Sequence, residues 1–387
     1  MREIKTAIVH YWLDSYRGGE KVVEVLCEMF PQADIFTHLY VPEKLPATIR
    51  RHHVETTFIG DLPLANRLSR HYLPLMPLAL EQLDLREYDL VISSESGPAK
   101  GVLTRPDSLH ICYCHSPMRY LWDQYNVYKN SCGPIKRAIM APLFHYLRQW
   151  DVVSADRVDR FVANSQFVGR RIKKYYRRKA EVIHPPVDVD RFQWDRPPGG
   201  YYATISELVP YKKVDLIVRA FTKNGRPLVV IGSGSEERKL RKMAGPNIRF
   251  LGHLSDEDLE ATLERCRAMV YAATEDFGIV PVEAQAAGRP VIAYGRGGVE
   301  ETVRDGITGI LFGQRSVASL NTAVEEFERK MGHFSPRVIR RQAEQFTRGE
   351  FRRSMETFIA DSLASETDAG SVDGTPEPVA RERVCAV

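Results

Sequence analysis

Apolar runs of strand length alternate with amphipathic segments of helix length along almost the whole chain, and this alternation restricts the fold more than any other feature. Helices are predicted at 21–30 and about 135–155. The strands predicted around them are 6–12, 34–39, 88–94, 109–114 and 160–164. Such alternation favours parallel sheets, because parallel strands need long crossover connections. The sequence therefore predicts an α/β fold and argues against an all-helical or all-β one.

The alternation is interrupted once, by a segment rich in turn-forming residues. Residues 193–200 read Gln-Trp-Asp-Arg-Pro-Pro-Gly-Gly and follow neither a strand period nor a helix period. From Tyr201 the pattern of strands and helices restarts and continues to about Phe312. A chain of 387 residues also exceeds the usual size of a single core. We therefore predict two Rossmann-like domains, 1–192 and 201–345, which face each other across a cleft.

Composition limits the class of protein. The chain is 43% hydrophobic, has no apolar run long enough to span a membrane, and enters its first strand without a signal-peptide pattern, so a cytoplasmic protein is expected. Its six cysteines are scattered and form no Cys-x-x-Cys pair, and a net charge of +4 does not by itself imply a polyanionic partner. Residues 364–387 are poor in apolar side chains, which predicts a disordered tail.

The segment 275–283 carries the strongest functional signal. A short apolar run ends at Glu275, a turn with Gly278 follows, and Pro281 is placed to begin a helix that contains Glu283. The backbone amides at such a helix N-terminus suit a phosphate or sugar hydroxyls, and a carboxylate in the first turn suits a vicinal diol such as ribose. In the alternative interpretation, Glu283 only favours the helix dipole and Glu275 is a solvated charge.

This segment resembles the E-x7-E motif of the retaining glycosyltransferases of family 4, which have the GT-B fold. The resemblance covers the chain to about residue 360, and the segments 288–293, 297–303 and 305–309 follow the family in order and spacing. It implies that Glu275 touches the donor sugar and that Glu283 holds the nucleotide ribose. The donor-facing amides implied by the resemblance are those of Phe277, Gly278 and Ile279. It also implies that a C-terminal helix at about 350–363 packs back on the first domain.

Two segments of the first half fit the same resemblance. Gly18 and Gly19 lie between the first strand and the first helix, where open α/β sheets bind ligands, and they match the glycine-rich loop of the family. Taken alone, two glycines also suit an ordinary tight turn. His115 follows a predicted strand and matches the active-site histidine of the family, although a lone histidine is more often structural. Arg119 and Trp122 are expected either to border the acceptor site or to pack in the interior.

The loop after the first strand of the second domain departs from the family. An arginine and, five residues later, a lysine usually neutralise the leaving nucleoside diphosphate there; Lys212 matches the lysine, but Glu207 stands at the arginine position. A carboxylate would repel the diphosphate, so another cation must compensate or activity should fall. The candidates for this cation are Lys213, Arg17 and Arg296.

Two further motifs look like a dinucleotide-binding site and a metal site but depart from the usual pattern of each. Residues 232–234 read Gly-Ser-Gly but lack the third glycine of a dinucleotide fingerprint, so no cofactor is predicted. Asp188 and Asp190 imitate a metal-binding Asp-x-Asp, yet their surroundings match the domain boundary of the family, and no catalytic metal is predicted. The basic segment 170–179, with Ser165 as helix cap, suits a solvated helix face or the anionic inner leaflet of a membrane. No known nucleic-acid module accompanies it, so no nucleic-acid partner is predicted.

The function implied by the resemblance is a retaining, metal-independent hexosyltransferase. The segments 10–12, 17–21, 113–120 and 208–212 look most like bacterial mannosyltransferases of O-antigen and exopolysaccharide pathways, which implies GDP-mannose as donor and a polyprenyl-diphosphate-linked saccharide as acceptor. The catalytic residues implied are His115, Lys212 and Glu275. The alternatives are a UDP-sugar-dependent transferase of the same family, a sugar-nucleotide epimerase, and a degenerate protein that binds a nucleotide sugar without turnover.

Overall fold

The computed structural model describes residues 4–130 and 133–370, and within them it contains two separate sheets. The first sheet consists of β1 Thr6–His10, β2 Asp34–Thr37, β3 Val54–Thr56, β4 Leu90–Glu95, β5 Leu109–Cys114, β6 Arg160–Ala163 and β7 Ala180–Val182. The second consists of β8 Tyr202–Ile205, β9 Leu228–Ile231, β10 Ile248–Gly252, β11 Met269–Tyr271, β12 Val291–Tyr294 and β13 Gly309–Phe312.

Both sheets are parallel throughout the described residues and share one strand order. The first runs β3-β2-β1-β4-β5-β6-β7 and the second β10-β9-β8-β11-β12-β13. In each sheet the order reverses between the first and fourth strands, as in a doubly wound Rossmann sheet. The predicted fold of two Rossmann-like α/β domains is confirmed, and the turn-rich segment 193–200 lies between the two sheets.

Helices follow most strands, as the crossover geometry requires. Those that accompany the first sheet are α1 Gly18–Met29, α2 Ala47–Arg50, α3 Ala65–Leu68, α4 Met76–Glu81, α5 Tyr125–Asn130, α6 Pro134–Ala155 and α7 Gln166–Tyr175. Those that accompany the second are α8 Val214–Asn224, α9 Glu237–Met243, α10 Asp256–Arg265, α11 Ile279–Ala286, α12 Val299–Thr302, α13 Val317–Lys330 and α14 Pro336–Ala343, and α15 Arg348–Gly370 ends the described chain. The predicted Ser165 cap of α7 is present, since the hydroxyl accepts from the amide of Val168.

The sheets are buried on both faces, and their central strands are accordingly rich in apolar residues, although β4 ends in Ser93, Ser94 and Glu95. β1, β4 and β5 are buried along their whole length. Separate apolar clusters fill the two sides of each sheet. The strand ends are therefore held firmly, and the loops that follow them are positioned by a rigid support.

The last helix returns to the first domain. Phe351, Met355 and Ile359 recur every four residues on α15 and join the core beside α1. The helix runs to Gly370, so residues 364–370 of the predicted disordered tail are helical; a packed helix is extended one residue at a time at little cost. The rest of the predicted tail, 371–387, lies outside the described residues.

The helix of the segment 275–283 begins earlier than predicted. α11 starts at Ile279, with Gly278 as N-cap at a φ of 92°, so Pro281 is its third residue and not its first. Proline is tolerated there because the first-turn amides have no intrahelical partner. The amides of Ile279 and Val280 still lie in the first turn.

Candidate functional site

The predicted site residues follow the carboxyl ends of strands at the points where the two strand orders reverse. In parallel sheets this edge is where ligands bind. The strand-end residues of the first sheet are Gly18 and Gly19 after β1 and His115 after β5. Those of the second are Glu207 and Lys212 after β8, and Glu275, Phe277 and Gly278 after β11, with Ile279 and Glu283 on the adjoining α11. The two edges face each other.

The glycine loop of the first domain lies against the start of α11 in the second. A Cβ placed on Gly18 would lie 2.6 Å from Cδ1 of Ile279. A Cβ on Gly19 would lie 3.5 Å from the ring of His10 and 3.8 Å from Nε2 of His115. Glycine at these positions therefore lets the backbone of one domain approach the other domain and the histidines closely.

Glu275 and Lys212 form an ion pair at the edge of the second sheet. The pair is partly buried, with exposed side-chain fractions of 15% and 17%. Arg119 of the first domain lies 3.8 Å from the other oxygen of Glu275. The backbone of Glu275 is fixed in turn, because its carbonyl accepts from the amide of Gly298 at 2.9 Å. The carboxylate therefore sits between cations from both domains.

Glu283 is almost fully buried and lies between two cations. Its Oε1 is 3.5 Å from Nζ of Lys21, on α1 of the first domain, and 3.5 Å from Nη2 of Arg191. Lys21 was not predicted as a site residue, because nothing in its own helix indicates that it reaches a carboxylate in the other domain. Glu283 is thus at the interface of the two domains and not merely a charge that favours the helix dipole.

His115 is a neutral, hydrogen-bonded histidine. Its Nε2 is 2.9 Å from Oγ of Ser94, at the end of β4. Burial, together with a smaller contribution from neighbouring His10, lowers the pKa of His115 to about 3. The imidazole is therefore uncharged at neutral pH and can offer a hydrogen bond, but not a positive charge, to a bound group.

Glu207 faces one of the three cations considered as its compensation. Nη1 of Arg17, in the glycine loop of the first domain, lies 4.0 Å from Oε2 of Glu207, and both side chains are largely exposed. Lys213 caps the N-terminus of α8 with a φ of 58°. The structure thus places Arg17 of the first domain beside the Glu207 carboxylate of the second.

A buried set of polar contacts joins the domains and was largely missed from the sequence. Asp276 accepts from Nε of Arg119 at 2.9 Å and from Nη1 of Arg171 at 3.0 Å. The hydroxyl of Ser165 donates to the carbonyl of Asp276 at 2.5 Å. Arg171 was predicted only as part of a basic surface segment, and no local pattern marks it, since its partners come from distant parts of the chain.

A second contact between the domains caps α7. The carboxylate of Glu301 accepts from the backbone amides of Gln166 at 2.7 Å and Phe167 at 3.0 Å, and lies 3.2 Å from Nε2 of His184. Burial opposes ionisation, yet the bonds from His184 and the two amides lower the pKa of Glu301. A carboxylate at a helix N-terminus is also stabilised by the helix dipole.

Residues of the remaining sequence motifs make packing contacts and hydrogen bonds within the protein. Trp122 stacks on Tyr175 with ring centroids 4.6 Å apart, so it packs against the protein, where it is partly buried. Asp190 accepts from Arg340 at 2.7 Å. A Cβ on Gly232 would lie 2.0 Å from the carbonyl oxygen of Ser206, so this glycine permits close packing beside the loop that carries Lys212.

The basic segment 170–179 divides into internal and exposed residues. Arg171 is buried, and Arg178 donates to the carbonyls of Ala155 and Val158. A groove of about 740 Å³ runs along this edge and is lined in part by Arg170 and Lys173. The segment is therefore only partly available to an external partner.

Comparison with known proteins agrees with the two-domain architecture. Residues 16–191 match the family model "Glycosyltransferase Family 4" and residues 188–345 match "Glycosyl transferases group 1". D-inositol 3-phosphate glycosyltransferase of Mycobacterium leprae is 29% identical over 214 residues, and that of Mycobacterium tuberculosis is 29% identical over 219. These alignments cover 49% of this chain and 50% and 45% of the two relatives, so the chain spans about half the length of the curated relatives it matches.

Solved structures match over nearly the whole chain. Anabaena HepE in complex with UDP and glucose superposes with a TM-score of 0.68 at 15% identity, covering 92% of this chain and 100% of that one. Sucrose-phosphate synthase from Thermosynechococcus elongatus has the same TM-score at 14% identity, covering 93% and 100%. The chain therefore has the GT-B fold.

Proposed function

We propose that this chain, which has the GT-B fold and matches two glycosyltransferase family models, transfers a hexose from a nucleoside diphosphate sugar held between its two domains. The contact between Lys212 and Glu275 carries the proposal. A sugar held by Glu275 would have its phosphate beside Lys212, and the first-turn amides of α11 would lie on the same edge. Such a helix N-terminus favours phosphate oxygens.

The charged and polar groups predicted for the site each have a physical role in this reaction. Lys212 and the amides of Gly278 and Ile279 stabilise the diphosphate as it leaves, without a metal ion. Glu275 and neutral His115 orient the sugar hydroxyls, and Glu283 accepts hydrogen bonds from the ribose diol. The bond between the anomeric carbon and the β-phosphate oxygen breaks as the acceptor hydroxyl forms a new bond on the same face. The departing phosphate oxygen takes the acceptor proton, so the configuration is retained.

GDP-mannose is the donor that we propose, on the basis of the segments that resemble bacterial mannosyltransferases. A UDP-hexose is the competing donor, because the similar fold of HepE holds UDP and UDP-glucose. The proposed acceptor is a polyprenyl-diphosphate-linked saccharide in the synthesis of O-antigen, capsule or exopolysaccharide. A protein that binds the donor without turnover remains the non-enzymatic alternative, and Glu207 is the observation that favours it.

Calorimetric titration of GDP-mannose, UDP-glucose and UDP-N-acetylglucosamine into the wild type tests the donor site. Glu283→Ala should abolish binding of the preferred donor. Glu181→Ala, at the far edge strand β7, is the matched control and should bind normally. Binding without transfer to any saccharide acceptor would support the non-enzymatic alternative. Absence of binding for every donor would reject the proposed site.

A further inference from the structure

Helix α6 carries an apolar stripe that no part of the described chain covers. Ile135, Ile139, Pro142 and Tyr146 recur every three or four residues and so lie on one face. All four are exposed; the exposed fraction reaches 79% for Ile135 and 62% for Ile139. The buried residues of α6, which include Met140, Phe144 and Leu147, lie on another face. The stripe is therefore not the face by which the helix packs on its domain.

A second group of exposed leucines lies on the helical segment around α3 and α4. Leu64 and Leu78 are 63% and 52% exposed, and Leu68 and Leu75 are also exposed. This segment and α6 pack on the same apolar cluster of the first domain, which contains Leu80, Met140 and Phe144. Exposed large apolar residues are thus concentrated on the outside of one region. Grouped exposure of this kind indicates an interaction surface.

The charge of both segments has one sign. Residues 62–80 contain Arg67 and Arg70 and no acidic residue, and residues 124–150 contain four further lysines and arginines and no acidic residue. The whole chain has 50 acidic residues in 387, so about six would be expected in these 46 positions. A surface that is apolar and basic without interspersed acids complements an anionic lipid bilayer, which attracts each nearby basic residue by about 1 kcal/mol.

We propose that residues 62–80, 124–130 and 133–150 form a docking surface for an anionic lipid bilayer, with the stripe of α6 inserted at the level of the headgroups. α6 does not span the membrane, since none of the described helices is apolar enough along a sufficient length to do so. It therefore lies on the surface as an interfacial helix. This surface differs from the basic segment 170–179, in which Arg171 and Arg178 are held internally.

The position of the surface is consistent with the proposed reaction. Arg119, which contacts Asp276 and Glu275 in the cleft, is followed within one short segment by α5. The ring of Tyr128 on α5 lies 6.2 Å from that of Tyr120, in the loop that contains Arg119. A bilayer on this surface would hold lipid-linked acceptors near the cleft. The role of the bilayer in presenting acceptors rests on the proposed function, whereas the docking itself does not.

Vesicle flotation without any donor tests the docking surface. The full chain should float with mixed phosphatidylcholine–phosphatidylglycerol vesicles and much less with pure phosphatidylcholine. The double variant Ile135→Glu/Ile139→Glu should bind the mixed vesicles at least about tenfold more weakly. Both side chains are exposed, so the fold should persist, which circular dichroism checks. The matched control Ile307→Glu/Val338→Glu changes two exposed apolar residues of the second domain and should bind normally.

Three results would overturn the proposal. The first is failure of the wild type to bind anionic vesicles. The second is equal binding by the α6 variant. The third is loss of binding in Lys173→Glu/Lys174→Glu alone, which would move the contact to α7. Size-exclusion chromatography with light scattering tests whether a second copy of the chain binds the stripe instead. If the wild type is a dimer that does not bind vesicles, and the α6 variant is a monomer, the stripe is a dimer interface.

Discussion

Replacement of Glu207 by arginine tests how the charge of the proposed diphosphate site is balanced. Glu207 stands where the related enzymes have an arginine, and its carboxylate lies 4.0 Å from Arg17. If the reaction is limited by the missing cation, Glu207→Arg should accelerate transfer. The change places two arginines near each other, so the gain must be weighed against their repulsion.

The expected magnitude follows from the geometry. Removal of one charge-stabilising donor typically costs about 10²–10³ in kcat, so its restoration should gain about 10² at the lower limit. Two like charges at about 4 Å repel by about 1 kcal/mol in a water-like dielectric, which is appropriate because Glu207 and Arg17 are half or more exposed. That repulsion reduces the gain about fivefold. A net increase of roughly 20-fold in kcat is therefore expected.

The assay is the initial rate of transfer from the donor that binds in calorimetry, measured for the wild type, Glu207→Arg and Glu207→Gln. The glutamine variant removes the negative charge only and should lie between the other two. Glu356→Arg makes the same charge change on the exposed side of α15 and should leave the rate unchanged. An unchanged rate in Glu207→Arg, together with a large loss in Arg17→Ala, would refute the reasoning, because Arg17 would already supply the missing charge.

Three further changes test other contacts. Lys212→Ala should lower kcat by about 10²–10³, because it removes the proposed diphosphate cation, as initial transfer rates will show. Asp276→Asn should destabilise the fold by about 3 kcal/mol in urea unfolding, because Arg119 and Arg171 lose a buried partner. His38 is buried and its pKa is lowered to about 4, so the unfolded chain binds its proton first as pH falls below about 6.5. Between pH 7 and pH 5, the free energy of unfolding should therefore fall by about 2 kcal/mol more in the wild type than in His38→Asn.

Each of these three changes has a control or an outcome that would contradict the prediction. Lys212→Ala should keep the unfolding free energy of the wild type within about 1 kcal/mol, since Arg119 still lies 3.8 Å from the Glu275 carboxylate and leaves it paired. Lys239→Ala removes an ion-paired lysine on the exposed face of α9 and should transfer normally. Equal pH slopes for the wild type and His38→Asn would show that His38 is not held neutral in the folded state. Unchanged stability of Asp276→Asn would mean that the two arginines find other acceptors.

Central strands were predicted well and edge strands were missed. β5 has the predicted bounds, 109–114, because it is buried on both faces and is apolar apart from His110. β3 and β7 have three residues each, with Glu55 and Glu181 in the middle, and are only partly buried. A short edge strand has no continuous apolar run, so periodicity cannot distinguish it from a loop.

The residues of the site also divide into those that the sequence predicted and those that it did not. Glu275 was selected because it follows a recognisable strand, and Lys212 because it matches a lysine of the resembled family. The structure brings the two into contact. Lys21, Arg171 and Glu301 were missed because each acts on the other domain. Their partners are separated from them by more than a hundred residues, and one sequence contains no record of how two domains dock.

The contacts across the cleft connect domain position to charge. Arg17 belongs to the first domain and Glu207 to the second, so Arg17 approaches the proposed diphosphate only when the domains are close together. The resemblance to family 4 implies an arginine in the same loop as Lys212, and such an arginine would be present in any arrangement of the domains. With Glu207 in place of that arginine, stabilisation of the leaving group would depend on Arg17. It would therefore depend on the contacts of Asp276 and Glu301, which hold the two domains together. On this argument Asp276→Asn should lower kcat more in the wild type than in Glu207→Arg, whose cation no longer depends on domain approach.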